Sequence, residues 1–297
     1  MTGQATTGRE RRLGWAVFLA PMVLFLLLFL GFPTVVDLVY SVSNVGFENL
    51  RSPEIAGFGN YVAVLGEPSF WRAAWFSLRF ALLTALVECA LGLGLAIFLA
   101  PLLASHNRLM AVLLLPIMVA PALVGLMYRL VLHEFAGPVP HYLWRWFGTS
   151  PAFLSGGNAF WTLAVVEILQ WTPFALLLLT VAYRAIPGEV REAAALDGAF
   201  GLRLLWSVEL PIMLPTIVIV LVIRFIDGAR IFDNIYTLTG SGPGGSTASL
   251  SIWIYETFFK RGAIGEAVAA SVLLFITSFA LLAWLNRMAR RREAARR

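Results

Sequence analysis

The sequence predicts an all-α, polytopic membrane protein with six transmembrane helices and both chain ends on the cytoplasmic side. Three observations predict it. The 297 residues are 59% hydrophobic and 13% charged, against roughly 45–50% and 25% in an average soluble domain. The apolar residues run continuously over stretches of about 17–25 residues, the length that crosses hydrocarbon as a helix. A β-barrel would show alternating segments of roughly 10 residues instead. The arginines gather at the chain ends and in alternate loops, the pattern that sets orientation.

Each span follows from its apolar run. Span 1 is Leu13–Val36, free of charge. It is too long for the 7–15 residue core of a signal peptide, and no A-x-A site follows it, so it is expected to be retained. Span 2 is about Phe80–Leu103, with Glu88 inside, and span 3 is Leu109–Tyr128. Span 4 is Ala159–Tyr183, with Glu167 inside. Span 5 is about Leu210–Phe232 and holds Arg224, Asp227 and Arg230; span 6 is Ala267–Leu285.

Arginine placement orients these spans. Arg9, Arg11 and Arg12 precede span 1, and Arg108 sits between spans 2 and 3. Arg184, Arg191 and Arg203 lie between spans 4 and 5. Arg287, Arg290, Arg291, Arg292, Arg296 and Arg297 end the chain. With six spans all of these fall on one side, which is then the cytoplasm. The loops near 41–74, 131–158 and 233–266 lie outside. The expected division is a tail at 1–12, a transmembrane domain at 13–287 with a charged loop at 184–211, and a basic tail at 288–297.

Several chemistries are not expected. The single cysteine, Cys89, permits no intrachain disulfide. His106, His133 and His141 lack metal-ligand spacing, so no metal site is assigned. No Ser/His/Asp constellation is placed for hydrolysis.

The charged loop is the most informative segment. Ile186-Pro187-Gly188-Glu189 opens it, and acidic Glu189 and Glu192 suit the positive end of a helix dipole. Asp197-Gly198 breaks the helix, with Gly198 free to take a left-handed conformation. A second short helix, about Phe200–Val208, is expected before the chain re-enters the membrane at Leu210-Pro211. Leu196, Leu202, Leu204, Leu205 and Trp206 would supply apolar contacts. On physics alone, an amphipathic helix lying in the membrane interface fits as well as a docking element.

The spacing separates the two. Glu192-Ala193-Ala194, three residues, Gly198, nine residues, then Val208-x-Leu210-Pro211 resembles the EAA motif, E-A-A-x3-G-x9-I-x-L-P, of permease subunits of binding-protein-dependent ABC importers. Only Val208, for Ile, departs from it. The stretches "FGNYVAVLGEPSFWRAAWFSLRFA" and "IFDNIYTLTGSGPGGSTASLSIWIYETFF" are similar to segments of the carbohydrate-uptake branch. The first outside loop lacks the large insertion of the maltose permease's larger subunit. The chain is therefore compared with compact glycerol-phosphate-type and trehalose-type members.

The resemblance implies a type I importer bundle and a division of labour. No G-x-x-x-x-G-K-[ST] phosphate loop is present, so the chain is not expected to be an enzyme, and it carries no cofactor of its own. ATP and Mg would act on a partner. The implied partners are two cytoplasmic ATPase subunits, a second EAA-type permease, expected to be a paralogue, and an extracytoplasmic solute-binding protein. Membrane lipid surrounds the bundle, and no nucleic acid is involved. Glu192, Ala193, Ala194, Asp197, Gly198, Leu210 and Pro211 would form the coupling loop. Glu192 would offer a charge, the alanines close approach, and Gly198 the turn. Asp197 has a rival role as a helix cap.

Charges inside a membrane are costly and face the bundle interior, water or each other. Arg224, Asp227 and Arg230 are spaced three apart, so Asp227 can pair with either arginine. An ion pair that fixes span 5 and a lining of the cargo path by Asp227 and Asn234 both fit. In span 4, Glu167, Gln170, Trp171 and Phe174 share one helix face. Carboxylate, amide and indole suit a sugar's hydroxyls and C–H faces, while interhelical packing explains them equally. Tyr128, at the end of span 3, is a further candidate. The expected cargo is a sugar or related polyol. A phosphate ester is the alternative, kept open by Arg224 and Arg230. A self-contained secondary transporter is the rival class, though the inverted repeats usual there are not evident.

Overall fold

The computed structural model describes residues 19–294. The start of span 1, together with Arg9, Arg11, Arg12, Arg296 and Arg297, lies outside the described residues. Helices carry almost all of the regular structure. The only strands among the described residues are β1 (Ser43–Asn44) and β2 (Glu54–Ile55), paired antiparallel with Ser43 opposite Ile55. The chain divides into two units, Met1–Glu67 with Ile254–Ala283, and Pro68–Trp253 with Trp284–Arg297.

In the first unit, α1 (Leu19–Ser41) buries none of its most apolar window. A helix apolar on every side needs lipid or another protein as its solvent. Pro33 has no N–H to give the carbonyl one turn back, and the helix widens to a π turn over Leu27–Gly31 just before it. It runs five residues past the expected Val36. The β hairpin and α2 (Gly59–Gly66) follow. Asn60 ties hairpin to helix, its Nδ2 donating to the carbonyls of Ser41 at 3.0 Å and Ser43 at 2.8 Å. Val45, Ile264 and Val268 form a small apolar core there.

The second unit is built on α3 (Pro68–Phe98), followed by the short α4 (Ala100–Ser105) and α5 (Asn107–Leu113). Then come α6 (Pro121–Val131), α7 (Pro138–Phe147) and α8 (Asn158–Arg184). The surface helix α9 (Gly188–Leu196) precedes α10 (Leu202–Ala229). Short α11 (Asp233–Leu238) and α12 (Leu250–Tyr255) follow, and the next helix, α13 (Ile264–Ala294), belongs up to Ala283 to the first unit. Helices α3, α8 and α10 pack together. Gly92 makes the closest approach possible: a Cβ there would stand 2.7 Å from the Ala175 Cβ and 2.9 Å from the Leu176 nitrogen. Cys89, Ala96, Leu176, Leu179, Met213 and Val220 fill one core, and Phe76, Phe80, Val124, Leu163, Ile235 and Ile252 the other.

Among the described residues four helices are long and apolar enough to cross a membrane: α1, α3, α8 and α10. Pro121–Val131 and Ile264–Ala280 are shorter apolar helices. Three expectations need correction. Span 3 is not one helix. Its first part is α5, a 3-10 turn covers Leu115–Met118, and α6 starts afresh at Pro121. Pro116 and Pro121 cause this, since each removes an N–H and Pro121 forces Ala120 out of the helical region, to ψ 134°. Span 2 starts at Pro68, twelve residues before Phe80, because the helix continues beyond its apolar run, and it ends at Phe98, before Pro101. The separate helix expected at Phe200–Val208 is the first part of α10. A π turn over Leu205–Glu209 absorbs Pro211, and the chain continues as helix.

Candidate functional site

The loop between α8 and α10 is built from its ends inward. Pro187 caps α9, and Glu189 sits in the first turn, where helix N–H groups are unpaired. At the other end Gly198 has φ 74°, a left-handed conformation open to glycine at no steric cost. The Ala199 N–H then reaches the Ala194 carbonyl at 2.9 Å, and the Gly198 N–H the Ala195 carbonyl at 3.0 Å. That pair of bonds is a Schellman cap. Asp197 is the residue just before the turn, and its backbone N–H donates to the Ala193 carbonyl at 3.2 Å.

The cap decides which residues face outward. Glu192, Ala193, Asp197 and Gly198 are exposed. Ala194 is buried, as is Ala199 just past the turn. Leu210 is half-buried and Pro211 exposed in the first turn of the apolar part of α10. Leu196, 90% exposed, stands with exposed Phe200, Leu202 and Trp206.

A brace that the sequence reading missed holds the loop. Arg191 Nε donates to Glu209 Oε1 at 2.8 Å, and its Nη2 to the Tyr183 carbonyl at 3.1 Å. Its guanidinium also lies 4.6 Å from the Tyr183 ring centroid. Glu209 is buried. One arginine thus joins α9 to the end of α8 and the start of α10. Eighteen residues separate the partners, beyond any helical spacing rule, and the sequence carries no other signal of the pairing.

A second polar site lies within the bundle, on Arg224. Its Nε donates to Glu88 Oε2 at 2.5 Å and its Nη2 to Glu88 Oε1 at 3.4 Å and Glu167 Oε1 at 3.1 Å. Its Nη1 donates to Asp227 Oδ2 at 3.2 Å. The Trp171 ring lies 4.5 Å from the guanidinium carbon. The Arg224 side chain is 1% exposed and Glu88 fully buried, so α3, α8 and α10 share one charged knot. A carboxylate in an apolar bundle turns to the interior, to water or to another charge, and Arg224 is the buried cation that meets Glu88 and Glu167. That signal was legible for Glu88, although its partner was not.

The other face of Glu167 reaches α11. Asn234 Nδ2 donates to Glu167 Oε2 at 2.7 Å and to Gln170 Oε1 at 3.0 Å. Gln170 Nε2 in turn donates to the Val119 carbonyl at 3.0 Å, a group left over by the break before α6. Asn234 Oδ1 is buried with no partner among the described residues. The structure therefore brings Glu167, Gln170, Trp171, Asp227 and Asn234 together. Phe174 is half-buried one turn further along α8, and Tyr128 packs against the Phe76–Ile252 core.

Residues 19–293 match the family described as binding-protein-dependent transport system inner membrane component. The chain belongs to this family. It is a helical inner-membrane permease of the ABC sugar-transport type. It is 31% identical over 271 residues to the trehalose/maltose transport system permease protein of Thermococcus litoralis, covering 90% of each chain. It is 30% identical over 284 residues to the sulfoquinovosyl glycerol transport system permease protein of Agrobacterium fabrum, covering 95% of this chain and 92% of that protein. Its fold is similar to a chain in the crystal structure of a bacterial alginate ABC transporter in complex with alginate pentasaccharide-bound periplasmic protein. The TM-score is 0.81 at 21% identity, over 95% of this chain and 96% of that one. The loop that carries the EAA-like spacing and the Arg224 knot both lie within the matched residues of this permease.

Proposed function

We propose that this permease moves a sugar, or a related polyol, across the cytoplasmic membrane by alternating access, driven by a separate ATPase that grips the 184–211 loop. The observation that carries the reading is the braced loop. Glu192, Ala193 and Asp197 face outward on a short helix held at both ends by the Schellman cap and the Arg191–Glu209 ion pair. A rigid, charged protrusion rooted in α8 and α10 is what a push from a partner needs in order to reach the bundle. In this reading the chain crosses the membrane six times with both ends inside, and ATP and Mg remain on the partner. It works beside a second, paralogous permease, two ATPase subunits and an extracytoplasmic binding protein. The 13–287 segment is one transmembrane domain.

Asp227, Trp171, Phe174 and Tyr128, partly exposed, line the cargo path, with Glu167, Gln170 and Asn234 behind them. A buried acceptor without a donor costs about 1–3 kcal/mol, and Asn234 Oδ1, behind the lining, is such an acceptor among the described residues. The test is ATP-dependent uptake by the reconstituted importer over a panel of maltose, trehalose, sn-glycerol 3-phosphate and sulfoquinovosyl glycerol. Saturable uptake of a panel member supports the reading. Uptake driven by an ion gradient without ATP would transfer the chain to the secondary transporters.

A further inference from the structure

Arg224 is the buried cation beside Asp227 that an anionic cargo would use, and it is already engaged. Nε and Nη2 are held by Glu88, Nη2 also by Glu167, and Nη1 by Asp227. One guanidinium thus faces three carboxylates, and none of its nitrogens that they hold is open to a cargo. We propose that the cargo path beside Asp227 selects uncharged carbohydrates and rejects phosphorylated, sulfonated or carboxylated ones. This rests on the permease reading above and adds the charge class of the cargo.

The exposure pattern supports it. Asp227 is 52% exposed while Arg224 and Glu88 are buried, so Asp227 is the member of the knot that a cargo can reach. A carboxylate is avoided against lipid tails, so this open side faces water or a polar solute. An ionised carboxylate only accepts hydrogen bonds. It therefore welcomes sugar hydroxyls and repels a second anion, which would also have to displace a carboxylate already in contact with Arg224. Half-buried Trp171, beside the guanidinium, adds apolar surface suited to a sugar's C–H face. Outside the knot, exposed Arg230 and Asp233 flank the end of α10 and offset each other, while exposed Arg129, which donates to the Thr237 carbonyl at 3.3 Å, is one cation in excess.

Two measurements test the proposal in the assembled importer. In a Cys89→Ala background, Trp171→Cys, which leaves Asp227 and the rest of the knot in place, is treated in native membranes with cationic and anionic thiosulfonate reagents of equal size, with rates normalised to a neutral free thiol. The cationic reagent is expected to react at least fivefold faster. Equal rates, a faster anionic reagent, or no reaction with either would overturn the proposal. On the unaltered importer, uptake confined to maltose or trehalose agrees with it. Comparable uptake of sn-glycerol 3-phosphate or sulfoquinovosyl glycerol contradicts it. Uptake of no panel member counts against the permease reading instead, and the reagent ratio then decides the charge of the path by itself.

Discussion

Arg191 and Glu209 meet at 2.8 Å, with the carboxylate buried and the guanidinium also bonded to the Tyr183 carbonyl. The pair ties α9 to the first part of α10 and, through Tyr183, to the end of α8. Arg191→Ala leaves Glu209 buried without its cation, a loss of roughly 3–5 kcal/mol for a wholly buried pair, less here because Arg191 is a third exposed. The expected outcome is uptake reduced at least tenfold with the ATPase still bound and hydrolysing. Arg191→Lys, which keeps the charge but loses the fork, should recover part of it. Uptake measured alongside ATP hydrolysis in proteoliposomes checks the split.

Gly198 sits at φ 74° with open space around the position of a Cβ. Gly198→Ala is therefore a purely conformational change, costing about 1–2 kcal/mol for an L-residue in the left-handed region. The expected result is a frayed α9 and weaker retention of the ATPase during purification, with the membrane level of the chain unchanged. Quantitative mass spectrometry of the purified complex measures both.

Within the bundle, Glu88→Ala removes the closest partner of Arg224 and leaves a buried cation less compensated. Breaking such a pair costs about 3–5 kcal/mol. Glu88→Gln, which retains an acceptor, should cost clearly less. The apparent unfolding midpoint in detergent should fall in the order wild type, Gln, Ala, and a reversed order would contradict the knot.

Gly92→Val would force a side chain against Ala175 and the Leu176 backbone, where even a Cβ lies within 3 Å. Overpacking costs typically 1–3 kcal/mol and more where backbone must move. The expected outcome is loss of the folded chain from the membrane, seen as a smaller monodisperse peak in size-exclusion chromatography.

Much of this was legible in the sequence, for physical reasons. Span 4 was read within a residue at each end, because its apolar run and its helix coincide. Span 3 was not, since hydropathy counts Pro116 and Pro121 among greasy neighbours while the backbone breaks at both. The loop's turn at Gly198 followed from the need for a left-handed residue. The merger of the second surface helix with α10 did not, because a π turn that accommodates Pro211 has no compositional mark. In the site, a shared helix face brought Glu167, Gln170 and Trp171 together on paper. Their partners Glu88, Arg224 and Asn234 come from distant segments, and only the packing of α3, α8, α10 and the α11 turn makes them neighbours.

The central claim is that the loop at 184–211 transmits force from a separate ATPase. The most direct measurement is to purify the tagged chain from its native membrane in mild detergent and identify what comes with it by mass spectrometry. The account predicts one ATPase and a second, non-identical EAA-type permease, with the ATPase lost and the second permease kept when Glu192 is changed to Lys. Recovery of the chain alone from intact membranes, with no ATPase, would contradict it.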